Sequence, residues 1–385
     1  MHQFIADYLS KFIHIPFAIN MKEEHLQVGE EEPKFTVTIN EGISKKELLT
    51  STSLALGEGY MKGIIEVDRD LYDVLNLFLG NMESFNRNKS ELKKLFHPNM
   101  SKKHQKEEVS SHYDIGNDFY SLWLDETWSY SCAYFKKDSD TLYEAQCNKV
   151  HHILEKLHLE KGMTLLDIGC GWGFLLKTAA KEYGVKGYGI TLSTEQYEKC
   201  KADIRKEGLE DLVTIELMDY RDLKKSGLQF DRVVSVGMLE HVGRGQYEEY
   251  LECANAVMKP GALFLLHYIS GHKEHCGDPW IKKYIFPGGM LPSFREIISL
   301  LPEYHFYTLD VESLRRHYNK TLLCWRKNYL EHAEQIKKEK GEEFFRMWDA
   351  YLASCAATFL NGVIDLHQIL MSKGVNNELP MNRVV

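Results

Sequence analysis

Residues 165 to 173 read Leu-Leu-Asp-Ile-Gly-Cys-Gly-Trp-Gly, and this run limits the folds open to the chain more than any other segment. Leu165, Leu166 and Ile168 around Asp167 describe a buried parallel strand. Gly169, Gly171 and Gly173 then allow a tight turn and let a ligand approach the backbone. From Phe174 to Tyr183 apolar residues recur at helical spacing. Strand, glycine turn and helix make the opening unit of an α/β, doubly wound, mostly parallel sheet. The spacing is G-x-G-x-G, not G-x-G-x-x-G, and no Lys-Ser/Thr follows, which argues against a dinucleotide and against a P-loop. S-adenosylmethionine, with an adenosine but no phosphate, suits this turn better. A purely structural turn would use the same residues.

Further strands are expected at 186–190, 213–216, 232–236 and 262–268, after the one at 164–168, with helical patterns between most of them. That alternation predicts a parallel sheet with right-handed crossovers. The patterning divides the chain into three parts. Residues 1–84 form a small α+β domain, with a helix-like start and an alternating strand near 35–39. Residues 85–110 form a joint in which Arg87, Lys89, Lys93, Lys94, Lys102, Lys103 and Lys106 face one acid, Glu91. The joint reads as a solvated linker or as a basic strip for anionic lipid. Residues 111–385 form the large catalytic domain, a Rossmann-like sheet with added helices.

Composition excludes several classes. A net charge of -9 does not suit wholesale nucleic-acid binding. No stretch approaches the roughly 18 uncharged apolar residues of a membrane span. Asp7, Lys11 and His14 interrupt the first twenty residues, which is not a secretory pattern. A cytoplasmic protein is expected. Its eight cysteines include no C-x-x-C pair and read as free thiols.

Ligands of such sheets bind outside the carboxyl ends of the strands, and polar residues stand there. Thr191-Leu192-Ser193 ends the second strand, with Gln196 one turn on, either a ribose partner or a solvated helix residue. Asp219-Tyr220-Arg221 follows the third and suits adenine by polar contact and stacking. Glu240 and His241 follow the fourth, as catalytic candidates or as helix-terminal groups. His267 closes the fifth.

Five segments occur in one order: His112-Tyr-Asp-Ile-Gly-Asn-Asp-Phe-Tyr120, Trp128-Ser-Tyr-Ser-Cys-Ala-Tyr-Phe135, the glycine run, Asp231-Arg-Val-Val-Ser-Val-Gly-Met-Leu-Glu-His-Val242, and Lys283-Tyr-Ile-Phe-Pro-Gly-Gly-Met-Leu-Pro-Ser293. Together they closely resemble the cyclopropane fatty acid synthases and the related mycolic acid cyclopropane synthases, from about Ser111 onward. Residues 1–84 resemble, more loosely, the extra domain of the bacterial phospholipid-acting enzymes. The resemblance implies S-adenosylmethionine as cofactor. The expected cofactor set is Tyr130, Ser131, Asp167, Gly169, Gly171, Gly173, Thr191, Leu192, Ser193, Gln196, Tyr220 and Arg221. It also implies a bicarbonate ion held by Cys132, Glu240, His267, Ile269 through its backbone, and Tyr318. Cys355 matches a further active-site cysteine of the family; by spacing alone it shares a helical packing stripe with Trp348, Tyr351, Leu352 and Phe359.

The implied activity transfers a methylene carbon to the cis double bond of unsaturated acyl chains in membrane phospholipids. The bicarbonate takes the proton that must leave before the ring closes. Tyr130, Tyr268, Phe286 and Tyr318 are candidates to shelter the cation, or plain core. The segment from Trp280 to Met290, with Lys282 and Lys283, suits a membrane interface or a lid over an acyl tunnel. Helices expected across 321–372 would cover the sheet and offer a homodimer surface. The expected partners are acyl chains and an anionic membrane surface at the cytoplasmic face, without nucleic acid. A lipid methyltransferase that closes no ring, or a non-catalytic lipid-binding protein, remains as an alternative. An amino-methyltransferase of nucleic acid would need Asn/Asp-Pro-Pro-Tyr after the fourth strand, where this chain has Glu240-His241.

Overall fold

A computed structural model describes residues 2–10, 15–22, 24–43, 45–81 and 115–382. The basic joint at 85–110 and the start of the first motif, residues 112–114, lie outside the described residues. The chain makes two compact units. One holds the described residues of Met1–Glu91 with Gly277–Pro287 and Leu322–Val363; the other holds those of Leu92–Cys276 with Gly288–Thr321 and Ile364–Val385.

In the first unit β1 (Phe17–Met21) and β2 (Glu24–Val28) form an antiparallel hairpin. The third strand, β3 (Thr36–Ile39), runs parallel to β1, and β4 (Ile65–Val67) runs antiparallel to β3. Phe17 stacks on Phe35 at 5.6 Å, and Ile5, Ile19, Ile39 and Leu48 fill the core around them. Helix Glu342–Leu360 packs on helices Thr52–Met61 and Leu71–Gly80. Polar contacts fix that packing. Arg326 Nε donates to Asp349 Oδ1 at 2.6 Å, its Nη1 reaches both Asp70 oxygens at 2.8 Å, and the Tyr60 hydroxyl donates to Asp349 Oδ2 at 2.9 Å. The contacts therefore divide the chain differently from the expected border between 84 and 111. Periodicity reports which face of a late helix is apolar, not which part of the chain covers it.

Trp280 begins the segment expected at a membrane interface, yet it is buried here. Its ring lies where a Cβ on Gly57 would be, and its Nε1 approaches Met61 Sδ at 3.2 Å. Lys283 pairs with Glu58 at 2.6 Å, and the Tyr284 hydroxyl donates to the same carboxylate. The ring and Lys283 are thus engaged within the first unit.

The second unit is built on a seven-stranded sheet in the order β10-β11-β9-β8-β5-β6-β7. Its members are β5 (Thr164–Ile168), β6 (Lys186–Thr191), β7 (Val213–Leu217), β8 (Phe230–Val236), β9 (Met258–Gly271), β10 (Phe306–Ser313) and β11 (Ile364–Lys373). The five expected strands are all present and run parallel. Alternate residues feed two cores. Leu166, Val233, Phe264 and Leu266 face one layer, and Leu165, Val234, Leu263 and Leu265 face the other.

The expectation of helices throughout 321–372 needs correction. Helices Arg315–Glu331, Ala333–Lys340 and Glu342–Leu360 occupy most of it, but Ile364–Lys373 is a strand inserted between β9 and β10, antiparallel to both. It is covered on both faces and so lacks the alternation that would reveal it. Among the described residues no helix is long and apolar enough to cross a membrane. All eight cysteines are free thiols.

Arg326→Met should test the polar clasp of the first unit. It leaves the Asp349 carboxylate buried beside Tyr60 without its cation, and breaking such a pair from one side typically costs about 3–5 kcal/mol. Urea denaturation followed by tryptophan fluorescence should show that loss, and replacing Asp349 by Leu in the same chain should recover part of it.

Candidate active site

The glycine turn is anchored before it meets any ligand. The backbone N–H groups of Gly169 and Cys170 both donate to the Ile190 carbonyl at 3.0 Å, tying the end of β5 to the end of β6. All three glycines have positive φ: +87° at Gly169, +56° at Gly171 and +78° at Gly173. Their surroundings differ. A Cβ on Gly173 would overlap the Cys200 sulfur, and one on Gly169 would lie 2.9 Å from Met238 Cγ. A Cβ on Gly171 would meet nothing within 4 Å. The outer two glycines thus allow close packing, while Gly171 turns bare backbone to open space.

That space is a cleft at the carboxyl ends of β5 and β6, lined by Tyr130, Ser131, Asp167, Gly169, Gly171, Gly173, Thr191, Leu192, Gln196 and Tyr220 from the expected cofactor set. Ser193 and Arg221 do not line it. Ser193 caps helix Thr194–Lys206, accepting from the Gln196 N–H. Gln196 is buried rather than solvated; its Oε1 accepts from Thr191 Oγ1 at 2.9 Å, which leaves its amide NH2 as a donor. Arg221 forks onto Asp219, Nε to Oδ1 at 2.8 Å and Nη2 to Oδ2 at 2.6 Å, with its guanidinium 5.4 Å from the Tyr220 ring centre. The pair braces Tyr220, whose ring forms the cleft wall.

Two further residues escaped the sequence reading. Lys149, on helix Leu142–Lys156, is 4% exposed, lines the cleft, and donates to Ser131 Oγ at 3.0 Å. Burial pulls its ammonium down to about 8, against the pull of Asp125, Cys132 and Asp167. One turn earlier Gln146 Nε2 donates to the carbonyls of Ser129 and Ser131, fixing the backbone of that cleft wall. The available signal was a Gln and a Lys three apart on the apolar face of an amphipathic helix. Opposite Lys149, burial raises Asp167 to about 7, and its Oδ1 makes no hydrogen bond among the described residues. His241 also lines the cleft, and burial pulls it down to about 4.

Of the expected anion set, Glu240, His267 and Ile269 lie at the ends of β8 and β9, while Cys132 and Tyr318 meet at the Leu314 carbonyl. Glu240 lies in the short 3-10 turn Leu239–His241; its Oε1 accepts from the Ile269 N–H at 2.6 Å, and its buried Oε2 has no hydrogen-bond partner among the described residues. Burial lifts this carboxyl to about 7, although the bond from Ile269 opposes the rise. His267 stands two residues before Ile269 on β9, with Nε2 likewise buried and without such a partner. Burial, with the charges of Lys149 and Lys156, lowers its ring to about 3, so it is neutral. Cys132 is 0% exposed; its S–H approaches the Leu314 carbonyl at 3.8 Å, which also accepts from the Tyr318 N–H at 3.1 Å. Burial pushes the thiol far above its ordinary range, so Cys132 stays protonated and is no nucleophile.

The remaining candidates divide between the units. Tyr268 points into the core between sheet and helices. Cys355 belongs to the first unit, on helix Glu342–Leu360, whose Trp348, Tyr351, Leu352 and Phe359 form the buried stripe that spacing suggested. Burial pushes its thiol up to about 12. Phe286 lies in the same unit, edge-on to Tyr351.

The raised Glu240 carboxyl gives a stability test with a definite sign. The folded state binds this proton more tightly than the unfolded chain, so the carboxyl's contribution to stability falls as pH rises from about 4.5 to about 7. Glu240→Gln keeps an acceptor for Ile269 but carries no charge. Relative to the parent, the variant should gain up to roughly 3 kcal/mol between pH 4 and pH 8, measured as the difference in denaturation free energy at each pH.

Comparison with known proteins places this geometry. Residues 100–369 match the family model described as mycolic acid cyclopropane synthetase, and residues 3–90 match a domain model of unknown function. The cyclopropane-fatty-acyl-phospholipid synthase of Escherichia coli K12 is 43% identical over 346 residues, 88% of each chain. A probable fatty acid methyltransferase of Pseudomonas putida is 36% identical, with 96% of each chain covered. Among solved structures, the cyclopropane synthase MmaA2 of Mycobacterium tuberculosis superposes with a TM-score of 0.66 at 33% identity, covering 70% of this chain and 98% of that one. The mycolic acid cyclopropane synthase CmaA1, solved with S-adenosylhomocysteine and a cationic detergent (CTAB), gives a TM-score of 0.65 at 34% identity over the same shares. With the family model spanning most of its length and its cleft at the glycine turn of β5, this chain belongs to the cyclopropane synthase family of S-adenosylmethionine-dependent methyltransferases.

Proposed function

We propose that this protein transfers the methylene carbon of S-adenosylmethionine to the cis double bond of unsaturated acyl chains in membrane phospholipids, closing a cyclopropane ring, with bicarbonate as proton acceptor. The observation that carries the reading is the junction of two sets of residues at the strand ends of one sheet. One is a cleft with an open glycine backbone and buried polar walls. The other holds two buried polar atoms without hydrogen-bond partners among the described residues, Glu240 Oε2 and His267 Nε2.

The cleft residues fit the cofactor. Gly171 offers backbone to close approach, the Gln196 NH2 can donate, Tyr220 offers a ring face, and the oppositely charged pair Lys149 and Asp167 suits an amino-acid moiety. When bound, S-adenosylmethionine supplies an electrophilic methyl. An isolated alkene is a weak nucleophile, so the contribution of the protein is alignment and exclusion of water, together worth roughly 7–11 kcal/mol. A proton must then leave the newly attached carbon. Glu240 and His267 suit a small oxyanion as its acceptor: one offers a carboxylate oxygen, the other a ring nitrogen, and both are kept from water. Cys132, an expected ligand of that ion, is held as a thiol and does not compete for the electrophile. The membrane supplies the acyl chain, and the basic strip at 85–110 is the proposed point of contact with anionic lipid.

The likeness to a fatty acid methyltransferase over nearly the whole chain favours one second reading, methyl addition without ring closure. Lipids from cells expressing this protein decide between them. A cyclopropane adds one CH2 and gives ring protons by NMR; a reduced methyl branch carries two further hydrogens, and an unreduced branch shows alkene signals. Methyl-branched product without ring protons would replace the first reading by the second.

Two variants separate the halves of the site. Gly171→Val puts a branched side chain into the open face, and calorimetry should find S-adenosylmethionine binding abolished while circular dichroism stays that of the folded parent. Glu240→Ala should leave that affinity nearly unchanged but lower turnover at least about a hundredfold, the low end for loss of acid–base function. Removing dissolved carbonate should slow the parent, and adding bicarbonate should restore it; a parent rate indifferent to bicarbonate would take the ion out of the mechanism.

A further inference from the structure

The row of side chains behind His267 decides which of its nitrogens carries the proton. Glu312 on β10, Gln368 on β11 and His267 on β9 are direct partners in the register of the sheet. His152 and Lys156, one turn apart on helix Leu142–Lys156, reach this row. Lys156 Nζ lies 2.5 Å from Glu312 Oε2 and 3.0 Å from Gln368 Oε1, with Asp310 at 3.4 Å, and His152 Nε2 lies 2.6 Å from Glu312 Oε2. Gln368, Lys156 and His267 are 0%, 6% and 1% exposed, so the bonds through Gln368 are shut off from bulk solvent.

The polarity of the row runs one way. An ammonium only donates, so the Gln368 oxygen faces Lys156 and its NH2 faces His267 Nδ1, 3.2 Å away. A flipped amide would set donor against donor. His267 Nδ1 therefore accepts. A neutral imidazole carries one proton, which must then sit on Nε2. Glu312 anchors the far end. Burial would raise it, but the hydrogen bonds from His152 and Lys156 bring it down to about 2, so a carboxylate always faces Lys156.

We propose that Lys156 and Gln368 position His267 as its Nε2–H tautomer, which makes His267 a hydrogen-bond donor to a bound oxyanion and excludes it as the base. The proposal rests on the anion reading above and deepens it. The polar atoms left over at the site then divide by role: His267 Nε2–H donates to an anion oxygen, and Glu240 Oε2 accepts from a protonated one. Bicarbonate has both kinds of oxygen. The substrate proton goes to the anion, and His267 keeps its own. Lys156 and Gln368 are positioning residues, acting only through His267.

Nitrogen-15 NMR of histidine-labelled protein tests the tautomer without any turnover, with the His267 signals assigned by difference against His267→Gln. The parent should show Nε2 protonated and Nδ1 bare, and bicarbonate should shift the Nε2–H signal. Gln368→Glu should reverse the tautomer, because a carboxylate beside Nδ1 requires a proton there. It should also raise the half-saturating bicarbonate concentration about tenfold or more, as expected for a lost charge-assisted hydrogen bond, with turnover partly restored at high bicarbonate. Lys156→Met, which releases the amide to flip, should give a mixture of tautomers and an intermediate bicarbonate requirement. A parent with Nδ1 protonated would overturn the proposal, as would Gln368→Glu with unchanged tautomer and bicarbonate requirement. A parent with Nε2 protonated that ignores bicarbonate in both spectrum and rate would sustain the tautomer and overturn the anion reading instead.

Discussion

The antiparallel ladder between β9 and β11 is the constraint on which the second unit depends. It sets residue 368 beside residue 267 and residue 371 beside residue 264, so one strand from the far end of the chain completes both the core and the polar row behind the site. A register slip of one residue would turn His367, not Gln368, towards that row and send its apolar neighbours to the wrong face. Ile369 and Met371 are fully buried in the same core as Leu166 and Phe264, so hydrophobic packing holds the register that the hydrogen-bond row requires.

The site itself is an economy of buried polar groups. Asp167 and Glu240 are raised towards neutrality, Lys149 is lowered towards it, and His267 is held neutral. Each shift has burial as its largest cause. In the proposed reaction, a pocket that removes water from these groups would also keep it from a cation formed on the acyl chain, which water would otherwise trap. The same low polarity strengthens whatever hydrogen bonds a bound ligand completes. Several buried polar atoms lack a hydrogen-bond partner among the described residues; of these, Asp167 Oδ1, Glu240 Oε2 and His267 Nε2 are the ones that the proposed reaction would use.

The first unit follows a different logic. Its small sheet buries Phe17, Ile19 and Phe35 beneath short helices, and ion pairs join its outer helices to earlier parts of the chain. Arg326 and Arg346 reach Asp70, Glu66 and the Ile65 carbonyl, residues some 250 to 290 positions earlier in the chain. Trp280 and Lys283 are drawn into the same unit. Aromatics and lysines that read as a membrane interface in sequence are here packing and pairing groups, because composition alone does not distinguish a ring that meets lipid from one that meets another helix.

Local sequence sufficed for the five parallel strands, the glycine turn and the place of Asp167, because apolar runs alternating with helical patterns predict a parallel sheet and glycines mark the turn after its first strand. The strand-end rule pointed to Thr191, Leu192, Gln196 and Tyr220, and the family resemblance to Tyr130 and Ser131; all six line the cleft. Three features required the fold itself. The strand Ile364–Lys373 was hidden because both its faces are covered, which erases alternation. Lys149 looked like an ordinary helix lysine until the fold buried it beside Ser131. The proton on His267 depends on Gln368, a hundred residues away, and on Lys156 beyond it; register and hydrogen-bond polarity join them, and neither is written in any local stretch of sequence.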